Sequence, residues 1–103
     1  MPVREIKPER TIEHDSLVHE LGAEWTRPNS AAPEPVTYLE RAKDGRPERV
    51  YVLWNKWTGI EGVERGEIIM EAAESVFGLD DALSISVVVG MTQPEAQRMG
   101  FKV

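Results

Sequence analysis

The chain has 103 residues, a formal charge of −6, 41% hydrophobic and 29% charged residues, and no cysteine. That length sets one modest core with little room for a separate catalytic module, and the lack of cysteine excludes a disulfide framework, a thiolate metal site and a cysteine nucleophile. The negative balance argues against sequence-independent binding to nucleic acid, whose affinity comes mainly from cations placed on phosphates.

Residues 1–35 read as a poorly ordered or loosely packed N-terminal segment ahead of a single α+β domain over residues 36–103. Met1 to Glu20 carries charges every few positions and no continuous apolar run, so the expectation is a cytoplasmic protein with neither a secretory signal nor a membrane span. Ile12, Leu17, Val18, Leu21 and Trp25 are apolar, but Gly22 interrupts a long helix. A short helix over Asp15 to Leu21, capped by Asp15 or Ser16, is therefore expected. Pro28, Pro33 and Pro35 then mark an extended connector.

Val36 to Ala42 and Arg49 to Trp57 are rich in β-branched and aromatic residues, and Gly45 and Pro47 between them supply turn chemistry, which predicts an antiparallel hairpin. Val50, Val52 and Trp54 alternate with Tyr51, Leu53 and Asn55, so the second strand is apolar on both faces and suits the sheet interior. From Gly62 to Phe77 the period changes. Gly66, Ile69, Met70, Ala73 and Phe77 form one stripe and Glu64, Glu67, Glu71 and Glu74 another, the pattern of an amphipathic helix stopped by Gly78.

Leu83 to Val89 returns to period two, with Leu83, Ile85, Val87 and Val89 on one face and Ser84, Ser86 and Val88 on the other. Thr92-Gln93-Pro94-Glu95 matches a capping box, with Met91 as the hydrophobic staple of a helix running to about Met99. The core is expected from Val50, Val52, Trp54, Ile69, Ala73, Phe77, Leu83, Ile85 and Val87. The fold class is α+β: a sheet of three or four strands with helices packed on one face, in the order hairpin, helix or helix-turn-helix, strand, short C-terminal helix.

The charge is unevenly placed. Residues 1–40 hold eight acids and four bases, residues 41–56 two acids and five bases, and residues 57–103 eight acids and three bases. The basic middle segment sets Arg41, Lys43, Arg46 and Arg49 around a turn at Asp44-Gly45, where they suit an acidic partner or a phosphate, or simply keep a hairpin tip soluble. The four glutamates of the central helix could serve as general acid and base or as oxygen ligands for a hard cation. Their regular spacing instead reads as a hydrated outer side, available to a basic partner.

His14, Asp15, His19 and Glu20 form the one histidine-containing cluster. Histidines five apart do not share a helix face, so the cluster reads as solvated surface, with Asp15 and His19 as the fallback ligand pair. Trp54 and Trp57, with Tyr51 and Lys56, read as core, the alternative being a stacking platform for bases. Ser84 and Ser86 have no histidine at a motif-like spacing, and Gly59 and Gly62 lack the lysine of a phosphate-binding loop. No cofactor and no metal site are expected.

Trp57-Thr58-Gly59, followed after five residues by Arg65, then Ala82-Leu83-Ser84-Ile85, then Thr92, Pro94 and Glu95, resembles the BolA-like family over residues 50–96, about half the chain. The resemblance implies a small α+β domain with a hairpin, a helix-turn-helix insert, a third strand and a final helix. In that family the arginine is followed by a histidine, and the glycine is followed two positions later by a serine. Gly66 and Glu61 stand at those places here, and the hairpin loop has neither cysteine nor histidine. The iron-sulfur cluster that such residues share with a monothiol glutaredoxin in the family is accordingly not expected of this chain.

The functional expectation is a small non-enzymatic interaction or regulatory domain of BolA-like layout that binds a protein partner, with homodimerisation an option. The candidate contact residues are Arg41, Lys43, Arg46, Arg49, Arg65, Glu64, Glu67, Glu71 and Glu74. One alternative is a nucleic-acid-binding regulator using the helix-turn-helix-like insert and the basic hairpin. The other is a metal-dependent enzyme using the acidic side chains.

Overall fold

In a computed structural model, which describes residues 12–27 and 34–101, the elements in chain order are α1 (Ile12–Thr26), β1 (Val36–Arg41), β2 (Pro47–Leu53), α2 (Gly62–Phe77), α3 (Leu79–Leu83), β3 (Val87–Met91) and α4 (Gln93–Arg98), with a 3₁₀ turn at Asn55–Trp57. The sheet order is β1-β2-β3. β1 and β2 form the expected antiparallel hairpin, with Tyr38 opposite Tyr51, and β3 lies parallel to β2, with Val88 beside Val50. The hairpin closes through Gly45, whose φ of 87° is open to glycine at little cost. Parallel neighbours need a crossover, and α2 with α3 provides it. The α+β architecture is as the sequence indicates.

Strand alternation divides the core in two. Val50 and Val52 turn towards α1 and α2, packing with Leu17, Leu21, Trp54, Trp57, Ile68, Ile69 and Ala72. Leu53 turns the other way and meets Met91 and Ala96, with Tyr38, Tyr51 and Phe101 alongside. This second cluster includes the Met91 staple beneath α4. The two long helices thus share one face of the sheet, and the C-terminal segment closes one end of the other.

α2 has the bounds read from its periodicity, with Gly78 at φ 90° as its stop. Its buried residues are Ile68, Ile69, Ala72 and Ala73, so the packed stripe is centred one position from the Gly66, Met70 and Phe77 edge of the expected one.

Three expectations are corrected. Over the described part of residues 1–35, the chain is not loosely packed: α1 runs through Gly22 for 15 residues, and Leu17 and Leu21 are core residues. A mid-helix glycine costs about 1 kcal/mol relative to alanine. Burying two leucines outweighs that at about 1.5–3 kcal/mol each, and Trp25 also stacks on Phe77 at 5.6 Å. Residues 28–33 of the expected connector lie outside the described residues.

Second, β2 ends at Leu53, not Trp57. The Glu34 carboxylate accepts from the Asn55 backbone N–H at 2.7 Å and from its Nδ2 at 2.6 Å. Trp57 folds back so that its ring N–H reaches the Val52 carbonyl at 3.0 Å.

Third, Leu83 and Ser84 do not begin a strand. Ser84 N–H bonds the Asp81 carbonyl and Ile85 N–H the Ala82 carbonyl, closing turns, and the strand starts only where Val87 pairs with Arg49. Leu83 is 72% exposed, and Val88, rather than Val87, is the β3 residue on the main core.

Candidate functional site

The densest polar junction of the described residues centres on Arg65, in the first turns of α2. Its Nε donates to the Ile60 carbonyl at 2.7 Å, Nη2 to the Trp57 carbonyl at 3.0 Å, and Nη1 to the Gly90 carbonyl at 3.2 Å and to Glu95 Oε1 at 2.8 Å. One guanidinium thereby joins the 3₁₀ turn, α2, β3 and α4, which suits its rigid fork of donors.

Glu95 Oε1 also accepts from the Thr92 backbone N–H at 2.9 Å and from the Thr92 hydroxyl at 2.8 Å, forming the expected capping box. The Thr92 N–H, then Arg65, then the Thr92 hydroxyl favour the carboxylate and hold Glu95 at about 2, well below the usual carboxylate range. Gly90 lies under this junction. A Cβ built on it would stand 2.9 Å from Arg65 Cβ and 3.0 Å from Trp57 Cε2. Arg65, proposed from sequence as a partner contact, is therefore an internal clamp, only 12% exposed.

The acidic stripe of α2 divides. Glu67 and Glu74 are exposed, whereas Glu64 and Glu71 face α1. There His14, 4% exposed, sets Nδ1 3.3 Å from Glu64 Oε1 and Nε2 3.1 Å from Glu71 Oε2. The surface reading of the histidine cluster holds for exposed His19 and fails for His14, which α1 carries onto α2. Within the cluster Glu20 meets Lys56, with Nζ 2.7 Å from Oε2. Among the described residues no three His, Asp or Glu side chains are placed to hold a metal ion.

The remaining candidates resolve one by one. Trp54 and Trp57 are core, edge to face at 5.2 Å, so the stacking platform is not built from them. Ser84 Oγ lies 2.7 Å from the Pro47 carbonyl and 2.6 Å from that of Asp81, which makes it a tie between α3 and β2 with no base beside it. In the hairpin, Arg41 Nη1 donates to the Gly45 carbonyl at 2.7 Å, Arg46 is 4.0 Å from Asp44, and Arg49 is 3.8 Å from Glu40. These exposed pairs are weak, and the hairpin keeps its cations at the surface.

Sequence reasoning passed over the sheet surface turned away from α1 and α2. Register places Val36, Tyr38 and Glu40 of β1, Leu53, Tyr51 and Arg49 of β2, and Met91, Val89 and Val87 of β3 on it. Phe101 lies 5.4 Å from Tyr38 and 5.5 Å from Tyr51. Val36 is 36% exposed, and Val87 and Val89 are only partly covered. The available signal was the unbroken apolar run Val87-Val88-Val89. Models of known protein families, curated proteins and solved structures were compared with the chain, and none matches it.

Proposed function

We propose that this chain is a non-enzymatic, cytoplasmic interaction domain of BolA-like layout, and that its binding surface is the sheet face opposite α1 and α2. The observation that carries this reading is the side-chain chemistry of that face. A sheet with one side in water ordinarily alternates apolar and polar residues, yet Val36, Tyr38, Tyr51, Val87 and Val89 occupy the outward positions. Its polar limit is the hairpin end, where Arg49 stands half exposed. The occupant that fits is a polypeptide segment that lays apolar side chains over the valines and tyrosines and sets a carboxylate against Arg49.

Selection of a displayed random-peptide library on the immobilised chain tests this. Enriched peptides are expected to combine aliphatic or aromatic residues with Asp or Glu, and to lose binding to a Val89→Asp variant that melts like the parent. Peptides indifferent to Val89→Asp would refute it.

A second reading has one observation in its favour. Tyr38 and Tyr51 stand side by side near the basic hairpin, an arrangement on which single-stranded nucleic acid could stack. The helix-turn-helix route has less support, because α2 exposes Glu67 and Glu74 and turns Arg65 inward. Anisotropy titration of a labelled oligothymidine at low salt separates the two readings, the protein-partner reading requiring no binding at micromolar concentration.

A further inference from the structure

We propose a second surface, distinct from the sheet face: the end of the molecule formed by α3 and the β1–β2 turn associates with a second copy of this chain about a twofold axis. Three observations converge there. Leu79 and Leu83 are 56% and 72% exposed, and their four-residue spacing sets them on one side of α3. The sequence had assigned Leu83 to the core, and its exposure leaves a large apolar side chain without a folding role.

Next, α3 is fixed against the hairpin. Ser84 Oγ reaches the Pro47 carbonyl at 2.7 Å and the Ser86 N–H reaches the Glu48 carbonyl at 2.8 Å. The leucines and the turn thus belong to one rigid end of the fold. Last, the two halves of that end carry opposite charge. Residues 41–49 hold four bases and two acids, while residues 79–83 hold two acids and no base.

An end that carries a cationic half, an anionic half and two exposed leucines can complement a second copy of itself. A twofold axis near the leucines sets Lys43 and Arg46 of each copy opposite Asp80 and Asp81 of the other, while the leucines pack together. A strictly acidic or strictly basic rim would instead repel its own copy. The area is small, so the expected dimer is weak, with Kd on the order of 10–100 µM.

Sedimentation velocity of the full chain from about 5 to 500 µM tests this. The parent chain is expected to pass from monomer to dimer across that range, and Leu83→Glu to weaken association about tenfold or more with unchanged melting. The decisive arm is a charge-swapped pair. Lys43→Glu with Arg46→Glu makes both halves acidic, and Asp80→Lys with Asp81→Lys makes both basic. Each variant alone should stay monomeric, and an equimolar mixture should dimerise.

A parent chain that stays monomeric at the top concentration, or a mixture that fails to associate, overturns the proposal. These substitutions leave the sheet face intact, so peptide binding there fails or survives independently of this result.

Discussion

Gly90→Ala is the sharpest probe of the junction around Arg65. Gly90 has ordinary strand geometry, so the substitution acts through packing alone. The added methyl would meet Arg65 Cβ at 2.9 Å, Trp57 Cε2 at 3.0 Å and Trp57 Nε1 at 3.1 Å. None of these atoms is the far end of a flexible side chain. Arg65 Cβ is fixed to the α2 backbone, and the Trp57 ring is fully buried and anchored to the Val52 carbonyl.

Overpacking against such neighbours costs about 2–3 kcal/mol, and the stiffer unfolded chain returns about 0.5–1 kcal/mol. The net loss is about 1–2.5 kcal/mol, which for a domain of this size lowers Tm by about 4–20 °C. Gly66→Ala is the control. It lies inside α2 with no heavy atom within 4 Å of the added position, and should raise stability by about 0.5–1 kcal/mol. Thermal and urea denaturation of the two variants measure the opposite signs. A Gly90→Ala protein melting within about 2 °C of the parent would refute the packing argument.

The depressed Glu95 carboxyl makes stability dependent on acid. A lowered folded-state value stabilises above the ordinary 4.5, and the effect is lost as pH falls towards about 2. The full shift would correspond to about 3 kcal/mol, but Glu95 is 36% exposed, and solvent screening leaves about 1 kcal/mol. Urea titrations should find Glu95→Gln less stable than the parent by that amount at pH 6, with the gap closing between pH 4.5 and 2; a gap constant with pH would refute the role. His14→Ala removes the imidazole between Glu64 and Glu71 and should cost about 1–2 kcal/mol in the same assay. An unchanged midpoint would show that α1 is held by its leucines alone.

Where one signal governed a segment, the sequence was readable. Sixteen residues of unbroken amphipathic spacing gave α2 its limits, and Thr92 with Glu95 specified the start of α4 before any tertiary contact was considered. Failures came where two periods fit the same letters. Leu83-Ser84-Ile85-Ser86 alternates as a strand would, but Gly78 and two aspartates begin another helical turn just before it, and the alternation was an accident of the turn's exit. Gly22 was read as a stop from local propensity, whereas Leu17, Leu21 and Trp25 had a tertiary surface waiting on α2. His14 was illegible for a related reason: its carboxylate neighbours are 50 and 57 residues away, and no local spacing reports such a meeting.

The same long-range contacts bear on where binding resides. Arg65, His14, Ser84 and Asn55 are the side chains that sequence or chemistry would single out for reactivity or recognition, and each is engaged within the fold. Asn55 illustrates the economy: it donates to Glu34 through Nδ2 while its Oδ1 accepts the Gln93 N–H at 3.0 Å, joining the entry to β1 with the start of α4. Groups held by several internal partners cannot turn to a ligand without leaving those partners unsatisfied, at about 1–3 kcal/mol each. The side chains less bound by that constraint are the outward valines and tyrosines, the leucines of α3 and the hairpin cations, whose internal contacts are single and exposed. Association through those surfaces leaves the polar junctions intact, which is why the proposed recognition is placed on the sheet face and the α3 end.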